Sequence, residues 1–127
     1  MTRAVTLAAI ALLAGLAPAM PVSPAAASPV AASAQGVVHV TIRDHTFVPR
    51  VVHVKSGETI VFTNEDQDPH TVTSGAGNVD DGRWTSSPLI PDGASFALHL
   101  TKPGTYPYFC TPHQFQDSMH GTIVVTR

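Results

Sequence analysis

The chain has 127 residues, which is room for one domain of ordinary size. Hydrophobic residues make up 43% of it and charged residues 13%, a balance that favours a packed core over a disordered chain. The net charge of −2 argues against a nucleic-acid-binding protein, which would carry a basic patch or stripe.

The N-terminal part of the chain has the order of features found in export signals. Arg3 gives a positive start, residues 5–16 are almost all apolar, and the small-residue triplets 25–27 and 32–34 each fit a signal-peptidase site. The apolar run is shorter than the roughly 20 residues that span a bilayer. A disordered Ala/Pro-rich tail on a cytosolic protein is the alternative interpretation.

We therefore predict two regions. Residues 1–34 are a signal peptide and a short Ala/Pro/Ser spacer, with the cut after Ala27 or Ala34, and residues 35–127 are the folded domain. The mature protein is then exported, either to the periplasm or to the outside of the cell, and has no stable membrane insertion.

The folded domain is predicted to be all-β. Apolar and polar residues alternate in five segments, which is typical of strands with one buried and one solvated face. Gly, Pro, Asp and Ser separate them, and short strands at this spacing indicate an antiparallel sandwich or a small barrel. In the irregular stretch 73–90 we expect at most one short strand or turn, near Trp84. Phe47, Phe62 and Trp84 are predicted to be core residues. The alternating segments are residues 38–42, 51–55, 59–63, 96–100 and 122–126.

Cys110 is the single cysteine of the chain. In an oxidising compartment cysteines usually pair, so a lone one is an intermolecular crosslink, a reactive thiol or a metal ligand. His113 and Met119 follow it between two predicted strands, and His70 comes after a separate strand. Two histidines and a cysteine with a distant thioether suit copper that shuttles between Cu(I) and Cu(II).

These residues stand in two motifs, FVPRVVHVKSGETIVFTNEDQDPHTV and KPGTYPYFCTPH…MHGTIVV, that resemble the cupredoxins, the small blue copper proteins. The resemblance covers nearly all of residues 37–127 and is greatest to the plastocyanin, pseudoazurin and amicyanin group. It implies a Greek-key β-sandwich of about eight strands with one copper ion at one end. In the family pattern the metal ligands correspond to His70, Cys110, His113 and Met119.

The chain departs from the family pattern at two places. Five residues separate His113 from Met119, more than in the plastocyanin-like and amicyanin-like loops, so Met119 is assigned from its place before the last strand. Thr71 follows the first histidine, where relatives often have asparagine. A hydroxyl can also hydrogen-bond the ligand loop, although a change beside the ligands tunes a metal site.

The resemblance also implies one-electron transfer. We expect His113 to form the exposed edge of the site, with Pro112 and Phe115 in a small apolar docking patch. The expected partner is another redox protein, such as a c-type cytochrome or a redox enzyme, which binds transiently to a monomer of this protein. Copper storage, delivery or resistance is the alternative function, because the same ligands can bind Cu(I) and release it.

An enzyme with Cys110 as nucleophile and His113 as base is disfavoured. No third group that would orient the pair is evident in the sequence, and Met119 would have no role. We therefore predict a protein that is not an enzyme and has no catalytic residues.

The remaining histidines give weaker signals. Alternation places His39, His53 and His99 on the polar faces of their strands, where surface histidines are expected. His45 lies in a connecting segment and has no predicted role. His120 is a minor candidate for an alternative ligand because it follows Met119 directly.

Overall fold

The computed structural model describes residues 36–127, together with Gly15 and Pro18. Apart from those two residues, the predicted signal peptide and spacer lie outside the described residues, as do both candidate cleavage points. In the described part of the chain, no helix has the length and apolar character that crossing a membrane requires.

The described domain consists of eight β-strands in two four-stranded sheets, which confirms the predicted β-sandwich. One sheet has the strand order β2-β1-β4-β6 and the other β3-β8-β7-β5, so the chain crosses repeatedly between the sheets. Each of the five alternating segments corresponds to a strand. The strands are β1 Val37–Arg43, β2 Thr46–Val48, β3 Val51–Lys55, β4 Thr59–Asn64, β5 Thr73–Ser74, β6 Ser95–His99, β7 Gly104–Phe109 and β8 His120–Thr126.

Two strand pairs differ from the predicted antiparallel arrangement. β1 pairs in parallel with β4, and β3 pairs in parallel with β8, whereas the other four pairs are antiparallel. A parallel pair needs a crossover connection, and here each connection passes through the opposite sheet. Alternation reports which face of a strand is buried and says nothing of its direction, so the sequence pattern did not reveal these pairs.

The stretch 73–90 is irregular, as predicted, but its short strand lies at its start rather than near Trp84. β5 forms there because Thr73 and Ser74 pair with Phe109 and Tyr108 at the edge of the second sheet. Trp84 is only partly buried and packs against the surface of the core.

Three aromatic side chains lie at the centre of the core. Phe47, Phe62 and Tyr108 are each at most 1% exposed, and their rings meet edge to face with centroids 4.7 to 6.3 Å apart. Rings of this size each remove about 150–250 Å² from water, so burying them stabilises the sandwich strongly. The prediction that Phe47 and Phe62 are core residues is confirmed.

Tyr108 carries a buried hydroxyl that has no hydrogen-bond partner among the described residues. Burial also raises the pKa of this phenol far above its usual range. An unpaired buried hydroxyl costs about 1–3 kcal/mol, so we expect Tyr108→Phe to raise the free energy of unfolding by about 1 kcal/mol. Urea unfolding followed by circular dichroism measures the change.

Tyr106 provides a matched control in the same strand. Its hydroxyl donates to the Lys102 carbonyl at 2.6 Å, so Tyr106→Phe removes a hydrogen bond and should lower the free energy of unfolding by about 1 kcal/mol. A loss of stability in both variants would contradict the prediction for Tyr108.

Three connecting segments meet at one end of the sandwich. β1 and β4 run in the same direction and end at Arg43 and Asn64, and β7 ends where β8 begins, with Phe109 paired to His120. The turn after β1 carries His45, and the loop after β4 carries His70. The loop from Cys110 to Met119 joins β7 to β8, so the predicted ligands all come from this end.

Candidate metal centre

The structure brings three of the four predicted ligands into direct proximity. The Sγ atom of Cys110 lies 3.5 Å from Nδ1 of His70 and 3.4 Å from Nδ1 of His113. Cys110 and His70 are fully buried, whereas His113 is half-buried at the surface. Cys110 is a free cysteine, so its sulfur is available to a metal ion.

The local sequence explains why Cys110 and His113 converge. β7 ends just before Cys110, and Thr111–His113 form one 3-10 turn in which Pro112 restricts the backbone. The His113 N–H donates to the Cys110 carbonyl at 3.2 Å and closes this turn. Side chains three residues apart lie on the same side of a 3-10 turn, so the imidazole returns to the sulfur.

Thr71 connects the His70 loop to the cysteine loop. Its N–H donates to the Cys110 Sγ at 3.4 Å, and its hydroxyl accepts the Thr111 N–H at 2.8 Å. The hydroxyl thus makes the hydrogen bond to the ligand loop that the sequence suggested for this position. Both contacts fix the sulfur relative to His70.

Asp66 orients His70. The Asp66 Oδ2 lies 2.9 Å from the His70 Nε2, which leaves Nδ1 directed at the sulfur. The same carboxylate accepts the backbone N–H groups of Asp44 and His45 at 2.7 and 2.9 Å. Burial alone would raise the pKa of Asp66, but these hydrogen bonds outweigh it, so the pKa lies below its ordinary value. A carboxylate that holds the far nitrogen of an imidazole is a common device for orienting metal ligands.

The protonation states suit metal binding. Burial lowers the pKa of His70, although the hydrogen bond to Asp66 opposes this effect, so the imidazole is neutral at pH 7. Burial raises the pKa of Cys110 despite the nearby N–H groups of Thr71 and His113. Without a metal the thiol therefore keeps its proton, and a cation that binds the sulfur must displace it.

Met119 lies beside Cys110, directly before the last strand. It ends a second 3-10 turn, Asp117–Met119, one residue before β8. Its side chain is fully buried in the same core cluster as Cys110, and its carbonyl accepts the Cys110 N–H at 3.0 Å. The chain between His113 and Met119 makes a turn closed by the Gln116 N–H, which donates to the His113 carbonyl at 2.9 Å, and then the second 3-10 turn.

His120 points to a different partner. Its Nε2 lies 2.9 Å from the carbonyl oxygen of Gln114, and its ring stacks on Phe109. These contacts hold the His120 ring against Gln114 and Phe109, outside the group formed by Cys110, His70 and His113.

Comparison with known proteins identifies the family. A family model described as a cupredoxin-like domain matches residues 5–125. The chain belongs to the cupredoxin family. It is 35% identical to amicyanin from Paracoccus denitrificans over 100 residues, which cover 77% of this chain and 73% of the relative. Chloroplastic plastocyanin from Pisum sativum is 35% identical over 75 residues, which cover 54% of this chain and 45% of the relative.

A solved structure gives the same result for the fold. A Cu(I) structure of an amicyanin variant superposes with a TM-score of 0.62 at 34% sequence identity and covers 73% of this cupredoxin and 85% of the other chain. Copper is accordingly the cofactor of this domain, with one ion per chain. The donors fit it, because a thiol between two imidazole nitrogens is a soft and borderline set that copper prefers.

His45, like Asp66, is a residue at this cupredoxin site that the sequence did not reveal. His45, His70 and His113 each place one ring nitrogen in a group whose members lie within 4.8 Å of one another. The ring of His45 meets those of His70 and His113 edge to face, with centroids 5.3 and 4.7 Å away. The only sequence signal was a histidine in a turn after a strand, which is too common to suggest a site.

Proposed function

We propose that this cupredoxin is a blue copper one-electron carrier whose metal is held by His70, Cys110, His113 and Met119. The main support is the buried Cys110 sulfur, which lies within 3.5 Å of two imidazole nitrogens. Copper bound there would supply a one-electron couple between Cu(I) and Cu(II).

The hydrogen bonds around the donors favour this use. Asp66 fixes the ring of His70, Thr71 fixes the sulfur of Cys110, and the 3-10 turn fixes His113. Donors that are held before the metal arrives need to move little when the charge of the ion changes. Small rearrangement is what rapid electron exchange requires.

The surface around His113 is suited to brief contact with another redox protein. Phe115 is 86% exposed in the same loop, and Pro112 is exposed beside His113. An apolar patch of this kind can dock transiently against a partner such as a c-type cytochrome or a redox enzyme. We propose that electrons pass through the exposed edge of His113.

We also propose the cellular setting. Residues 1–34 would direct export to the periplasm or the outside of the cell, and residues 35–127 would act there as a monomer. The protein would carry electrons for other proteins and would not itself be an enzyme.

The deciding experiment is to add Cu(II) to the metal-free domain and record absorbance, EPR and cyclic voltammetry. We expect one equivalent to produce intense blue absorption from the bond between the thiolate and Cu(II), and a reversible one-electron wave. A pale adduct that yields its copper to a Cu(I) chelator after reduction would contradict electron transfer and indicate copper storage or delivery.

The axial role proposed for Met119 is tested by Met119→Gln. An amide oxygen is a harder donor than a thioether, so it should favour Cu(II) and lower the reduction potential while copper stays bound. Voltammetry of the copper-loaded variant gives the change. An unchanged potential would mean that Met119 is not an axial ligand.

The docking patch is tested by the electron self-exchange rate, which NMR line broadening measures on mixtures of the reduced and oxidised protein. We expect Phe115→Glu to lower this rate about tenfold, because two copies would then bring like charges together at the patch. Val37→Glu is a matched control, since Val37 is 54% exposed at the opposite end of β1. Equal effects of the two variants would contradict docking through Phe115.

A further inference from the structure

Three imidazoles converge at the outer edge of the site. One ring nitrogen from each of His45, His70 and His113 lies within 4.8 Å of the other two. The side chain of His45 is 36% exposed, so this group is reached from solvent, whereas Cys110 behind it is fully buried. A metal ion that approaches from solvent therefore meets His45 and His113 before the sulfur.

The turn that presents His45 is held from two sides. Asp44 and His45 both have φ of 52°, a left-handed conformation that is uncommon outside glycine. The Asp66 carboxylate accepts both of their N–H groups, and the Ser118 hydroxyl donates to the His45 carbonyl at 2.6 Å. The turn is thus tied both to the residue that orients His70 and to the loop that carries the other ligands.

His45 and His70 are oriented by the same device. The Asp68 Oδ2 lies 3.0 Å from the His45 Nε2, just as Asp66 holds the Nε2 of His70. With Nε2 engaged by a carboxylate, Nδ1 is the nitrogen left to bind a metal. Two carboxylate–imidazole pairs, Asp66–His70 and Asp68–His45, therefore orient imidazoles at the same metal site.

We propose that His45, His70 and His113 form an outer copper site that receives Cu(II) from solvent and passes it to Cys110. Three imidazoles are good ligands for Cu(II). This inference rests on the proposed function, because the inner ligands His70, Cys110 and His113 are the destination of the ion. His45 is needed for loading and not for the finished electron-transfer site.

The movement of Cu(II) from the outer site to Cys110 requires no oxidant or reductant. His70 and His113 keep the ion while the Cys110 sulfur replaces the His45 nitrogen. The copper remains Cu(II), and the thiol proton leaves to solvent.

Loading kinetics test the role of His45. Metal-free protein is mixed with Cu(II) in a stopped-flow instrument, and the growth of the thiolate absorption is recorded. We expect His45→Asn to slow this growth about tenfold, while the thiolate absorption still reaches its full amplitude. Asparagine tolerates the left-handed backbone at this position. His99→Asn is the matched control, because His99 is an exposed histidine at the opposite end of the sandwich, and it should load at the normal rate.

A second measurement counts the imidazoles directly. In Cys110→Ser the inner site lacks its thiolate, so Cu(II) should remain on the outer site, and pulsed EPR should detect three bound imidazoles. The double variant with His45→Asn should show two. Two imidazoles in Cys110→Ser, or a normal loading rate in His45→Asn, would overturn the outer site. Either result could occur in a protein whose wild type still becomes intensely blue, so the proposed function would stand.

Discussion

Replacing Cys110 with serine is expected to abolish the intense absorption of the copper-loaded protein while the fold is retained. The absorption arises from the bond between the thiolate and Cu(II), and Cys110 is the single cysteine of the chain. Serine is close in size to cysteine, and its hydroxyl can accept the Thr71 N–H that now points at the sulfur. Absorbance during a Cu(II) titration measures the band, and circular dichroism checks the fold.

The expected loss is complete rather than partial. The imidazoles and any axial donor remain, so Cu(II) can still bind, but no other thiol is present to restore the band. Persistence of the band in Cys110→Ser would falsify the assignment of Cys110 as the copper ligand.

Copper is expected to stabilise the domain strongly against heat. The inner ligands come from two loops, with His70 after β4 and the remaining donors between β7 and β8, so the unfolded chain cannot present them together. A ligand that binds only the folded state at 1,000 times its Kd adds about 4 kcal/mol. In a domain of this size that corresponds to a rise of about 20 °C in the unfolding temperature.

Differential scanning calorimetry with and without one equivalent of Cu(II) measures this shift. Cys110→Ser is the matched control and should gain much less, because it retains only the weaker imidazole ligands. A wild-type unfolding temperature that does not change at saturating copper would mean that the inner site does not assemble.

The strands and the ligand loop could be predicted because their signals are local. Alternation in a segment such as 59–63 fixes which side chains enter the core, and the observed burial of β4 follows it. Cys110, His113 and Met119 lie within ten residues, so a single loop necessarily places them near each other. Asp66, which orients His70, was not predicted, although it lies only four residues before that ligand.

The remaining features depend on contacts between distant parts of the chain. His45 reaches the site because Asp66 and Ser118, which lie 21 and 73 positions away, hold its turn. No periodic pattern reports such contacts. The parallel pairs β1–β4 and β3–β8 likewise depend on the path of the whole chain between the sheets.

The hydrogen bond from the Cys110 N–H to the Met119 carbonyl has a consequence for how such a protein can vary. Together with the pairing of Phe109 and His120, it closes the base of the loop, so the chain leaves the sandwich and returns to it at one point. Residues can be inserted into or deleted from this loop without shifting the register of β7 against β8. The loop that carries Cys110, His113 and Met119 can therefore change in length while the two sheets keep their structure.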